Sequence, residues 1–225
     1  MTAIALRRVA AEFAGSAGLA VVVIGSGIAA ARLSTDTGLQ LLENALVTAL
    51  GLAVLILVFQ PVSGAHFNPV VSLVDAALGG RRWTDVARYV PTQIAGCIVG
   101  AMLANLMFGL AAVSWSTSDR GSWPHALAEA VATAGLVVVI FALVRTGRAA
   151  LAGPAVGAYI GAAYFFTSST SFANPAITIG RMFSDTFAGI DPASVPLLVS
   201  AQVVGGIVGW FAVLLLFPLP KTAAA

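Results

Sequence analysis

The sequence predicts an all-α membrane protein with six transmembrane helices and two re-entrant half-helices, related by an inverted repeat. Three observations carry that expectation. Hydrophobic residues make up 59% of the 225 residues and charged residues 9%, where a soluble domain carries roughly 25% charged. Six apolar runs, at about 13–31, 41–59, 86–109, 126–144, 149–166 and 195–217, come near the ~20 residues that cross a bilayer. Two Asn-Pro pairs, Asn68-Pro69 and Asn174-Pro175, open apolar runs at 70–78 and 176–183 that are too short to cross.

The chain begins with Arg7 and Arg8 ahead of the first apolar run. That run is too long for a cleaved leader and lacks a convincing cleavage site, so it is read as a retained span. Basic residues in short loops gather on the cytoplasmic side. Arg7, Arg8, Arg81, Arg82, Arg88, Arg145, Arg148 and Lys221 fall on the side of both termini, whereas Arg32, Arg120 and Arg181 fall on the other. Both ends are therefore expected in the cytoplasm. The net charge of +2 is explained by basic residues near lipid headgroups, and no face for nucleic acid is evident. The lone Cys97 in the third span excludes an internal disulfide and offers no metal framework. It reads as small apolar packing.

Each Asn-Pro pair follows a polar, extended stretch, Ser63 to Phe67 in one case and Thr170 to Ala173 in the other. Asn caps a helix whose first turn accepts Pro, so two helices start at these points. Short, Pro-started segments at corresponding places in two halves of a membrane protein point to a permeation site near the midplane.

The halves are copies of one another. Gln93, Gly96, Ile98, Val99 and Gly100 match Gln202, Gly205, Ile207, Val208 and Gly209 at an offset of 109. Asn68 and Asn174 lie 106 apart, as do Gly51 and Gly157, and Glu12 and Glu129 lie 117 apart. Each half has three spans, an odd number, so the second enters the membrane from the opposite side. The expectation is one channel domain over 1–225, with repeats 1–116 and 123–225 and a polar connector between. The two half-helix N-termini would meet at the bilayer centre, where non-helical backbone is tolerated only beside protein or a water-filled cavity. Small-residue pairs Gly96/Gly100 and Gly205/Gly209 suit close crossings between spans of one chain. A carboxylate inside an apolar run needs a partner, so Glu12 and Glu129 are each expected to accept hydrogen bonds from the re-entrant loop of their own half.

With the doubled Asn-Pro signature, the paired Glu and the Gln-x-x-Gly-x-x-x-Gly spans in place, the sequence resembles the aquaporin and glycerol-facilitator family over nearly its whole length. The first copy reads Asn68-Pro69-Val70 in place of the usual Asn-Pro-Ala, and the second reads Asn174-Pro175-Ala176. The resemblance implies that both Asn side chains donate to the permeant from the pore centre. It also implies that carbonyls of Gly64, Ala65 and His66 and of Thr170, Ser171 and Phe172 form an acceptor ladder. Partial positive charge at the two helix N-termini would oppose cations and protons, an effect for which aquaporin-type channels are a standard example.

One departure changes the expected selectivity. Relatives usually place Arg directly after the second Asn-Pro-Ala, and this chain has Ile177, which removes a charge and its donors from the outer filter. Two readings stand for Arg181, one turn later: a side chain that reaches back toward the mouth and, favoured over it, an exterior surface or loop-anchoring residue. Ser171 maps to the filter, together with Leu50 or Thr48 on the second span and Tyr164 or Ala162 on the fifth. Arg-less filters of this kind resemble a bacterial branch associated with arsenical resistance. The implied function is passive passage of small uncharged solutes, such as glycerol-like polyols and undissociated arsenous acid, with or instead of water.

A water-selective channel is the nearest alternative. An ion-coupled transporter would show charges facing a substrate cavity, and an occluded sensor would show Phe67, Phe172 and Tyr164 meeting in the pore. His66 and His125 lack partners at ligand spacing, and Ser168, Ser169, Thr170 and Ser171 lack an activating base, so catalysis and metal binding are not expected. No cofactor is implied. The expected partners are the lipid bilayer, water and neutral solutes, with a homotetramer in a prokaryotic inner membrane implied by the resemblance.

Overall fold

A computed structural model of the protein describes residues 2–218, so Lys221 lies outside the described residues. Among the described residues eight α-helices are present: α1 (Ala3–Leu33), α2 (Thr37–Ser63), α3 (Pro69–Ala77), α4 (Trp83–Met107), α5 (Trp123–Arg145), α6 (Ala152–Phe166), α7 (Pro175–Gly180) and α8 (Val195–Leu216). Six helical stretches are long and apolar enough to cross a membrane, α6 with the short 3-10 turn before it counting as one. The remaining two, α3 and α7, are the half-helices.

Local chemistry sets the ends. Asp36 caps α2 by accepting from Leu39 N at 2.8 Å, and α2 stops at Gly64, whose φ of 94° is in the left-handed region. Ser122 caps α5, with Pro124 in its first turn. Asn68 and Asn174 cap α3 and α7 through Oδ1. The first two helices run beyond the predicted apolar cores of 13–31 and 41–59, because capped helix continues past the hydrocarbon. At the end of α2 the extra turn is used by protein: Gln60 Nε2 donates to the Ala149 carbonyl at 2.9 Å. The run expected at 176–183 is α-helical only to Gly180 and tightens into a 3-10 turn at Arg181–Phe183.

The crossings repeat between the halves. α1 packs on α4 and α2, α5 packs on α8 and α6, and α2 packs on α6. A Cβ at Gly96 would stand 2.6 Å from the Phe13 carbonyl oxygen, and one at Gly209 2.7 Å from that of Ala134. Helix backbones touch there, so both small-residue pairs serve contacts within the chain. The half-helices lie inside this bundle, α3 against α4 and α8, and α7 against α4 and α8.

The departure at Val70 has a packing explanation. Val70 Cγ1 occupies the space beside Gly206 that a Cβ there would need. In the other half Ala176 packs beside Cys97, and Cys97 is the residue that corresponds to Gly206 in the Gln93/Gln202 alignment. A larger residue on one half-helix faces a smaller one on the neighbouring span, and the reverse holds in the partner half, so the volume is conserved.

Candidate functional site

The two re-entrant loops meet tip to tip. Asn68 Nδ2 donates to the Ala173 carbonyl and Asn174 Nδ2 to the Phe67 carbonyl, both at 2.8 Å. Each Asn Oδ1 meanwhile accepts from its own half-helix, Val70 N and Ala176 N, both at 2.9 Å. The sequence reading turned each amide toward the permeant. One N–H of each is instead used in this reciprocal clasp, and the second is left for the cavity that both Asn residues line.

The loops hold an unusual backbone. Ala65 and Phe67 have φ near +50° (52° and 51°), as do Ser171 and Ala173 (50° and 48°), with Thr170 at 61°. Left-handed geometry costs about 1–2 kcal/mol at each non-glycine position, so something must hold it. Glu12 does so in one half: its carboxylate accepts from Ser63 Oγ (2.6 Å), His66 N (3.0 Å), Phe67 N (2.8 Å) and Gln93 Nε2 (2.7 Å). Glu129 does so in the other, accepting from Ser169 Oγ (2.6 Å), Phe172 N (2.8 Å), Ala173 N (2.8 Å) and Gln202 Nε2 (2.6 Å). Both carboxylates are fully buried. With the N–H groups turned toward Glu, the carbonyls of the same peptides turn away from it.

Those carbonyls are free. Among the described residues, the backbone oxygens of Gly64, Ala65, His66, Thr170, Ser171 and Phe172 accept no protein hydrogen bond, while those of Ser63, Phe67 and Ala173 do. Ala65, His66, Ser171 and Phe172 line a narrow cavity of about 60 Å³ around the Asn pair. A second cavity of about 190 Å³ adjoins it, sharing Ile56, Ala65, His66, Val71, Ile140 and Val156 and adding Gly64, Asp75 and Arg81. One passage therefore runs from Arg181, past the Asn pair, to Arg81. Thr170 lines neither cavity. Of the signature residues only Asn68 and Asn174 face the passage; Pro69, Val70, Pro175 and Ala176 start the half-helices and pack against neighbouring spans.

Much of the remaining lining is apolar and comes from single helix faces, Leu52 and Ile56 on α2 and Val156 and Ile160 on α6, each ending in a hydroxyl residue, Thr48 and Tyr164. Steps of four residues keep each trio on one face. Thr48 Oγ1 and Tyr164 OH lie 3.1 Å apart. Of the alternatives read from the sequence, Leu50 is 60% exposed on the outer face of α2, whereas Thr48 is 2% exposed and lines the cavity. Ala162 is likewise exposed, and Tyr164 is buried and lining. Two residues along a helix is a turn of about 200°, which sends one candidate to the passage and the other to lipid. Ile177 and Ser171 line the cavity.

Arg181 corrects the sequence reading. It is not on the exterior surface: it is 2% exposed, lines the cavity, and its guanidinium carbon lies 3.4 Å from the centroid of the Phe172 ring. Its Nε donates to the Ala188 carbonyl, so it does anchor a loop. Arg120, which the sequence gave no reason to single out, lies over the same ring at 5.3 Å and donates to the carbonyls of Gly189 (3.0 Å) and Phe187 (3.3 Å). Beside it the Gly121 backbone N–H and then the Ser194 hydroxyl hold the Asp119 carboxyl below the usual carboxylate range. At the opposite mouth His66, Asp75 and Arg81 form a cluster, with Arg81 Nε 3.1 Å and His66 Nε2 3.3 Å from Asp75 Oδ2. No group of three or more His, Cys, Asp or Glu suited to a metal occurs among the described residues.

Comparison with known proteins agrees with this architecture. Residues 1–171 match the major intrinsic protein family. The chain is 46% identical over 201 residues to the aquaglyceroporin AqpS of Rhizobium meliloti (strain 1021), covering 89% of this chain and 86% of that protein. It is 29% identical over 211 residues to the glycerol uptake facilitator protein of Pseudomonas aeruginosa, covering 81% and 75%. The X-ray structure of the aquaglyceroporin from Plasmodium falciparum superposes with a TM-score of 0.72 over 93% of this chain and 95% of that one, at 20% identity. A fold of six spans around two clasped half-helices, and a family match over three quarters of the chain, lead to one conclusion: this protein belongs to the major intrinsic protein family of membrane channels.

Proposed function

We propose that this protein is a passive channel for small uncharged solutes, glycerol-like polyols and undissociated metalloid acids such as arsenous acid, and for water. One observation carries the reading: the passage is lined both by unpaired carbonyls and by apolar side chains. A buried carbonyl without a partner costs free energy, so the ladder favours a permeant whose hydroxyls donate to it in file. The apolar wall of Leu52, Ile56, Val156 and Ile160 then receives the C–H edge of the same molecule. A polyol has both edges, and Asn68 and Asn174 supply donors at the centre. With Ile177 at the usual Arg position, the filter of Thr48, Tyr164, Ser171 and Ile177 is more apolar than a water-selective one. The names of the AqpS relative and the glycerol facilitator support the same solute class.

Transport follows the solute gradient, since hydration is exchanged for wall contacts with no coupled step. The unit of function is the whole chain, built from repeats 1–116 and 123–225, assembled as a homotetramer with one passage per subunit and with both termini cytoplasmic in a prokaryotic inner membrane. Proteoliposome swelling tests the reading: glycerol and arsenous acid should enter faster than into empty liposomes. Osmotic water flow without solute entry would instead indicate a water-selective channel.

A further inference from the structure

The Arg181 mouth carries two guanidinium groups and no carboxylate partner for either among the described residues. Both groups rest on Phe172 and are tied by neutral carbonyls of three successive residues, Phe187, Ala188 and Gly189. Arg181 spends its Nε on that tie, and its two terminal nitrogens make no hydrogen bond among the described residues. Ser171 lines the same cavity, and its buried Oγ has no partner among the described residues. Ile177 and Arg181 lie four residues apart, hence on one face of the turn that follows Asn174. The long Arg181 side chain therefore returns a cation to the passage from one turn farther along.

We infer that Arg181 is the specificity-determining cation of this mouth: with Arg120 over the same ring and Ser171 lining the same cavity, it donates to acceptor oxygens of the permeant and turns cations away. This rests on the channel reading above and adds the residue that sets its charge selectivity. Ile177 leaves the width that a polyol needs, while Arg181 keeps the field that excludes cations. Size and charge filtering are thus placed on two residues of one face.

The test uses the full-length protein in proteoliposomes, with glycerol swelling and the decay of a pH gradient under a potassium–valinomycin clamp read in parallel. Arg181→Met is expected to raise proton leak per reconstituted channel about tenfold or more, since a unit charge at contact distance contributes kilocalories in a partly dry site. Arg181→Lys, which keeps the charge, should leave leak near the wild-type level. Arg181→Met combined with Ile177→Arg should lower it again, because the cation returns one turn away. Equal leak in wild type and Arg181→Met, or a leak in Arg181→Met that neither the Lys variant nor the double variant avoids, overturns the inference and leaves Arg181 a loop anchor. Failure of wild type to pass glycerol would overturn the polyol reading instead, and the leak comparison would stand apart from it.

Discussion

Replacing Glu129 by Gln probes the joint on which the second re-entrant loop depends. The carboxylate is fully buried and accepts four hydrogen bonds, two from the backbone of Phe172 and Ala173 and two from Ser169 and Gln202. A Gln amide has one acceptor oxygen and one donor nitrogen. The Ser169 hydroxyl can rotate and the Gln202 amide can turn over, but the Phe172 and Ala173 N–H groups bond to opposite carboxylate oxygens. Either orientation leaves one of them facing an NH₂ group. An unsatisfied buried N–H costs about 1–3 kcal/mol, and the remaining bonds lose their charge assistance, so the loss is about 2–4 kcal/mol. At about 2–4 °C per kcal/mol for a chain of this size, the midpoint falls by roughly 5–15 °C. Thermal unfolding in detergent, followed by circular dichroism and by loss of the monodisperse peak, measures it. Glu12→Gln should lose a similar amount, because the Glu12 site has matching partners. A midpoint within about 2 °C of wild type for both variants would refute the claim that these carboxylates hold the left-handed loops in place.

Three further outcomes follow from the packing. Thr48→Cys should be labelled by a small water-soluble thiol reagent and lose most solute flux, whereas Leu50→Cys should keep it; the native Cys97 is fully buried and gives little background. Gly206→Ala should destabilise by about 1–3 kcal/mol through overlap with Val70 Cγ1, and Val70→Ala should relieve most of that loss in a double-mutant cycle of unfolding midpoints. Gly96→Leu should abolish the monodisperse species on size exclusion, because the Phe13 carbonyl and Ala17 amide nitrogen of α1 occupy the space beside it.

The two halves were legible from residues because their signals are local or repeated. Asn before Pro writes a capped helix start wherever it stands, and a buried Glu pair at matching places advertises a shared need for donors. The Val70 departure was legible only as a packing change; that Gly206 makes room for it required the fold. Two positions on α2 and two on α6 could not be separated from the sequence, since lipid and passage wall are both apolar and α2 is apolar on every side. The stripes Thr48/Leu52/Ile56 and Val156/Ile160/Tyr164 were present at helical spacing, yet lipid-facing stripes have the same spacing.

Sequence alone determined the membrane setting, the count of spans and the paired half-helices, because hydropathy, chain length and capping act through neighbours along the chain. Tertiary structure alone decided which helix face looks inward, that each Asn spends one proton on the opposite loop, and that Arg181 lies over Phe172 within the passage. Those outcomes depend on contacts between residues up to 116 positions apart, and no local preference encodes the direction in which a long side chain finds its partner.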